Sequence, residues 1–138
     1  MDFYHCPTSC SQATHIMLHE TGAPFSAHAV DIRTGKLADG GDYAEVNCNG
    51  YVPALVLLDG AILTESVAIL DRLTRATGGV SADGADRTRH LQLLAFVATE
   101  LHKPFVRLFF TESDVERADL CHHLDARLRW IGRQVRGP

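Results

Sequence analysis

Cys10 and Ser11 carry the first chemistry that the residues suggest. They follow a short run from Met1 to Tyr4 and stand where a helical pattern begins. Free N–H groups and aligned peptide dipoles at a helix N-terminus stabilise an anion. A thiolate is an anion, and it is the nucleophilic form of cysteine. Cys10 is therefore a candidate reactive sulfur; the other reading is a buried cysteine acting as a small hydrophobe. Glu65-Ser66 stands at a second helix start. There Ser66 and adjacent N–H groups can hold a carboxylate, and Glu65 can pair with an ammonium. The same residues also read as a simple helix cap, which Thr64 or Glu65 would supply.

The elements that position these residues follow from periodicity. Residues 2–5 form a short strand that Pro7 and Ser9 break. Ser11 to Thr21 reads as a helix, with Ala13, Ile16, Met17 and Glu20 at helical spacing and Gly22 as its stop. His28 to Ile32 alternates and predicts a second strand. Residues 33–50 are polar and glycine-rich, with at most one helical turn around Asp42 to Val46. Val52 to Leu58 is a buried-strand run, Asp59-Gly60 a hairpin turn and Ala61 to Leu63 the return strand. A helix then runs to Thr77, with Val67, Ile69, Leu70 and Leu73 apolar, and Gly78-Gly79 ends it.

This order, β-α-β-(α)-β-β-α, predicts a thioredoxin-like domain over residues 1–78. Residues 79–86 are small and polar and read as a linker. Residues 87–138 read as a partial helical domain of two long helices. Leu91, Leu94, Ala98, Leu101, Phe105 and Leu108 form one stripe, and Leu93, Phe96 and Val97 widen it. Pro104 should kink that helix or end it at Lys103. The last helix carries Cys121, Leu124, Leu128, Ile131 and Val135.

Composition narrows the function classes. The 138 residues are 46% hydrophobic and 22% charged, as in ordinary globular chains. A net charge of −4 argues against a nucleic-acid partner. No apolar run approaches the roughly 20 residues of a membrane span. Asp2 stands where a signal peptide would be basic, so the expected location is cytoplasmic. The four cysteines (Cys6, Cys10, Cys48 and Cys121) then read as reduced thiols. Cys6, Cys10, His15 and His19 match no usual zinc spacing, and no metal is expected.

Several motifs occur together in one order: Tyr4, Pro7, Ser9-Cys10-Ser11, His15-Ile16, Glu20-Thr21-Gly22 and Asp31-x-Arg33-Thr34. Asn47-x-x-Gly50-x-Val52-Pro53-Ala54-Leu55, Leu63-Thr64-Glu65-Ser66-x-Ala68-Ile69 and Thr99-Glu100-Leu101-His102-Lys103 follow. In these the chain resembles bacterial beta-class glutathione transferases over nearly its whole length. The resemblance implies a thioredoxin-like N-terminal domain, a helical C-terminal domain and glutathione as co-substrate. It implies that Cys10 and Ser11 lie near the glutathione sulfur, and that Cys10 forms a mixed disulfide with glutathione or helps hold its thiolate. It implies a cis Val52-Pro53 bond that turns the Val52 backbone toward the peptide ligand, as one added strand. The other reading of Pro53 is an ordinary strand-entry proline.

The resemblance further implies that Glu65 and Ser66 hold the γ-glutamyl ammonium and carboxylate, with Tyr51 beside the peptide-binding segment. His102 becomes a hydrogen-bonding or acid–base group near the sulfur, a role that suits a neutral imidazole. The other reading of His102 is a helix-surface histidine near the dimer seam. Lys103 is a further glutathione contact, and Glu100 reaches the glutathione of a neighbouring subunit. Gly35 stands where the family usually has a lysine for the glycine carboxylate, and Lys36 is the substitute. Ala95 replaces an asparagine, Cys48 a proline and Tyr51 a glutamine.

The chain stops short of the later buried helix, with its capping box and hydrophobic staple, around which the family's C-terminal domain folds. Apolar faces on residues 90–110 and 121–135 then lack a cover within the chain. A homodimer or larger assembly, with exchanged or rearranged helices, is the expectation. One reading is an enzyme that activates the glutathione thiol for attack on a small electrophile, or exchanges thiols with a disulfide. The other is a non-catalytic glutathione-binding or dimerisation module. Much of the electrophile pocket's wall would come from absent helices, which favours thiol exchange and peroxidase-like chemistry over conjugation of bulky substrates.

Overall fold

The computed structural model describes residues 1–79 and 84–135. The chain divides into two compact units, Met1–Arg87 and Thr88–Pro138. Half of the expected linker, residues 79–86, falls on residues 80–83, which lie outside the described residues. Ala85 already opens a helix.

The first unit holds β1 (Asp2–His5), α1 (Ser11–Thr21), β2 (Ser26–Asp31), β3 (Lys36–Leu37), a 3₁₀ turn (Tyr43–Glu45), β4 (Ala54–Val56), β5 (Ile62–Thr64) and α2 (Ser66–Ala76). The five strands form one mixed sheet in the order β3-β2-β1-β4-β5. Only β1 and β2 pair in parallel. This is the thioredoxin-like arrangement that the periodicity predicts. The two-residue strand β3 has no counterpart in that expectation, because two residues carry no alternation to read.

Alternation along β1 sends neighbouring side chains to opposite faces. Phe3 joins Leu18, Leu55, Ile69 and Leu73 in the core under α1 and α2. Tyr4 packs on the other face, against Val30, Tyr43 and Ala54. Each such buried side chain contributes roughly 1.5–3 kcal/mol.

Helix α1 has the expected span and ends at Gly22, whose φ of 64° is the left-handed cap. Its buried stripe differs from the expected one: Ser11, Thr14 and Leu18 point inward, and Ile16 is 57% exposed. The i, i+3, i+7 row wins because Ser11 is needed below the loop that precedes it, and that fixes the helix rotation. The hairpin turn is as predicted. Gly60 adopts φ 83° and the Asp59 carboxylate accepts the Ala61 N–H at 3.0 Å.

The second unit has α3 (Ala85–Phe96, reaching back into the first), a π-helical segment (Val97–His102), α4 (Lys103–Phe110) and α5 (Asp114–Val135). Pro104 neither ends the first helix nor interrupts it. The widened π turn lies directly before it, and Pro104 falls in the first turn of α4. The wider turn just before it makes room for the ring and for the hydrogen bond that the missing N–H cannot make. Leu101, Leu120 and Leu124 are buried, and the Phe96 and Trp130 rings meet at 4.2 Å. Phe109 and Phe110 remain 83% and 81% exposed. No helix among the described residues is long and apolar enough to cross a membrane.

Candidate functional site

Strand pairing brings three segments to one end of the sheet. Tyr4 pairs with Ala54, and Ala54 with Thr64, both antiparallel. The C-terminal end of β1, the start of β4 and the end of β5 therefore lie side by side. The loop of residues 6–10, the Val52-Pro53 pair and Glu65-Ser66 continue directly from those ends.

Cys10 occupies the N-cap position of α1, with φ −58° and ψ −21° and no side-chain cap. Its thiol donates to the Val52 carbonyl at 3.5 Å. The sulfur at the helix start thus meets the segment ahead of β4. The Val52-Pro53 bond is cis, as the resemblance implies, and Pro53 is buried. Ladder pairing of β4 starts at Ala54, so Val52 stands ahead of the paired edge.

Ser11 is fully buried. Its Oγ donates to the Cys6 carbonyl at 3.0 Å and accepts the Cys6 N–H at 3.1 Å. It also shares a hydrogen bond with Ser9 Oγ at 2.7 Å. Ser11 therefore holds the 6–10 loop against the start of α1.

Tyr51 presents its side chain to solvent while its carbonyl is clamped. The buried Tyr43 hydroxyl and the Asn47 amide both donate to it at 2.8 Å. Burial raises the Tyr43 phenol above its ordinary value, which keeps the donating proton in place. Tyr43 and Asn47 fix the backbone just before Val52. Asp42-Tyr43 carried only a one-turn helix signal in the sequence, with nothing to mark this role.

Glu65 has φ 65° and ψ 118°, a left-handed conformation for a non-glycine residue. Such a residue costs on the order of 1–3 kcal/mol and persists where its surroundings demand it. The expected cap does not form: Glu65 is the N-cap residue of α2 with no side-chain cap hydrogen bond. The first N–H groups of α2, from Ser66 on, thus receive no cap from the Glu65 side chain. That is the chemical condition for taking an external anion.

Lys36 lies at the far edge of the same sheet, on β3, with its ammonium 3.5 Å from the Asp42 carboxylate. Gly35 before it has φ 69°, a conformation that a lysine there would strain to adopt. His102 and Lys103 are exposed on the second unit. Glu100 pairs there with Arg127 at 3.2 Å and lies 3.7 Å from His123. Among the described residues no group of three or more His, Cys, Asp or Glu side chains is disposed to hold a metal.

Residues 6–76 match the family description "Glutathione S-transferase, N-terminal domain". The chain is 34% identical to glutathione S-transferase GstA of Escherichia coli O157:H7, over 99% of this chain and 70% of that protein. A sphingomonad glutathione S-transferase complexed with glutathione superposes with a TM-score of 0.89 at 39% identity, over 99% of this chain and 71% of that one. A bacterial beta-class transferase from Sphingomonas chungbukensis superposes with a TM-score of 0.86 at 36% identity, over 98% of this chain and 70% of that one. The chain thus spans about seven tenths of each of these relatives. On the family match and these relatives, the chain belongs to the glutathione S-transferase family.

Proposed function

We propose that this chain binds glutathione at the end of its sheet and exchanges thiols with it through Cys10. The observation that carries the reading is the 3.5 Å contact of the Cys10 sulfur with the Val52 carbonyl beside a cis proline. A thiol there can receive a peptide thiol lying along Val52 as an added strand. The complex of the sphingomonad relative with glutathione supports the choice of ligand.

In this reading Val52 binds the cysteinyl backbone and cis-Pro53 presents it. The uncapped start of α2 at Ser66 takes the γ-glutamyl carboxylate, and Glu65 its ammonium. Ser11 acts by holding the loop, with Cys10 as the reacting group. Tyr51 borders the peptide. Lys36 reaches the glycine carboxylate only by leaving Asp42, so its contribution is small. His102 as acid–base group, and Lys103 and Glu100 as ligand contacts, keep the roles that the resemblance implies. The Cys10 thiolate attacks a disulfide of glutathione, forms the mixed disulfide and releases one glutathione thiolate. Alternatively, the site holds the glutathione thiolate for attack on a small electrophile. A reducing, cytoplasmic setting follows from a dependence on free glutathione.

A second reading, a binding module without turnover, is favoured by the Lys36–Asp42 pair and by Gly35. Self-association belongs to both readings, and the exposed Phe109 and Phe110 support it. The test is calorimetric titration with glutathione, then assay with a small chloronitroaromatic and with a mixed disulfide, for the parent chain and Cys10→Ala. Turnover of the disulfide that Cys10→Ala abolishes is expected. Binding without turnover selects the second reading, and the absence of binding overturns both.

A further inference from the structure

We propose that Cys6 is the resolving thiol for Cys10: the two close an intramolecular disulfide that expels glutathione from the Cys10 mixed disulfide. This rests on the exchange reading above and extends it from a one-thiol to a two-thiol cycle.

The segment between the two cysteines is folded back on itself. Ser9 donates its N–H to the Cys6 carbonyl at 3.3 Å, and its Oγ stands 2.8 Å from the same oxygen. Ser11 Oγ donates to the same carbonyl and accepts the Cys6 N–H. Cys6 is thus tied to the residue before Cys10 and to the residue after it. Thr8, at φ 62°, supplies the left-handed residue that reverses the chain. A turn closed this way keeps its first and fourth Cα atoms within about 7 Å. A disulfide spans Cα separations of roughly 4.4–6.8 Å. Cys10 is the next residue along, so the disulfide requires each sulfur to leave its present acceptor, Pro7 for Cys6 and Val52 for Cys10, within one short loop.

Both thiols are free and half-buried. Cys6 Sγ donates to the Pro7 carbonyl at 3.6 Å, as Cys10 Sγ does to Val52. Each is therefore held by one weak S–H bond, which deprotonation removes. Neither cysteine is a member of the two core clusters of the first unit.

The steps balance. The Cys10 thiolate attacks one sulfur of glutathione disulfide; the Cys10–glutathione bond forms and one glutathione thiolate leaves. Cys6 gives its proton to solvent and attacks the Cys10 sulfur. The Cys6–Cys10 bond forms, and the second glutathione leaves as a thiolate that takes up a proton. One glutathione disulfide is reduced to two glutathiones, and the protein dithiol is oxidised to the disulfide. Two glutathiones reverse the sequence. Tethering the second thiol in the same loop gives it the rate advantage of an intramolecular nucleophile.

The test uses the full chain with the exposed Cys48 and Cys121 replaced by serine. One equivalent of glutathione disulfide is added, and samples are quenched with acid for intact mass and peptide mapping. The parent is expected to pass through a one-glutathione adduct to a species two hydrogens lighter, releasing two glutathiones per chain. Adding Cys6→Ser should stop the reaction at the Cys10 adduct, with one glutathione released and an adduct lifetime longer by about tenfold or more. Equal persistence of the adduct in both chains overturns the role of Cys6 and leaves exchange through Cys10 standing. No adduct in the Cys6→Ser chain overturns both.

Discussion

Ser11→Ala distinguishes a hydroxyl that acts on the ligand from one that holds the loop. The Ser11 side chain is fully buried, and its Oγ bonds the Cys6 N–H at 3.1 Å, the Cys6 carbonyl at 3.0 Å and Ser9 Oγ at 2.7 Å. Alanine removes all three. Ser9 keeps the Cys6 carbonyl through its N–H and its Oγ. The group left without its partner is the Cys6 N–H. A typical net hydrogen bond contributes about 1 kcal/mol, and a stranded polar group costs about 1–3 kcal/mol when buried. The site is only partly buried, so a loss of about 2 kcal/mol is expected. At this chain length each kcal/mol moves Tm by about 4 °C, which gives a fall of about 8 °C. Thermal melts followed by far-UV circular dichroism read the stability, and glutathione-disulfide exchange reads Cys10. Both should fall together. An unchanged Tm with exchange abolished would refute the reasoning, because Ser11 would then act on the ligand and not on the loop.

Tyr43→Phe removes one of two donors to the Tyr51 carbonyl; a stability loss of about 1 kcal/mol and a several-fold weaker glutathione affinity by calorimetry are expected. His5 makes stability pH-dependent. Burial first, then the charges of His15 and His28, hold its pKa below the ordinary 6.5. A depressed value means that the folded state binds the proton less well than the unfolded chain. The contribution is therefore complete above about pH 6.5 and lost as pH falls through the folded value. Tm should fall below pH 6.5, and His5→Phe, which keeps a ring against Phe3, should flatten that slope; an unchanged slope would remove His5 as its source. Phe109→Glu with Phe110→Glu should lower the mass seen by light scattering if those rings are covered by a second copy; an assembly that survives both charges uses another surface.

Much of the fold was legible because its signals are local. Gly22 stops α1 through its own backbone freedom, and Asp59-Gly60 turns the hairpin through a side chain two residues from its partner. Phe3, Leu55 and Ile69 are apolar wherever they are read. Less legible were features that depend on a neighbour distant in sequence. The rotation of α1 follows from Ser11 serving Cys6, which buries two hydroxyls and exposes Ile16. Pro104 looked like a break, yet the π turn before it absorbs the strain that a missing donor and a bulky ring impose.

The residue types at the candidate site were fixed in the primary structure: a cysteine before a helix, a proline before a strand, and a glutamate and serine before a second helix. Their convergence was not, because it depends on strand register. Tyr4, Ala54 and Thr64 must pair in line before Cys10, Val52 and Glu65 can share one end of the sheet. Tertiary structure also decided that Glu65 would leave its helix uncapped, since its left-handed backbone is set by the chain around it and not by its own preference. Tertiary structure likewise tied Cys6 beside Cys10, through hydrogen bonds from two serines that no spacing rule would single out. Short-range preferences choose the elements; only long-range pairing, which must first overcome the entropy of closing the loops between them, chooses which elements meet.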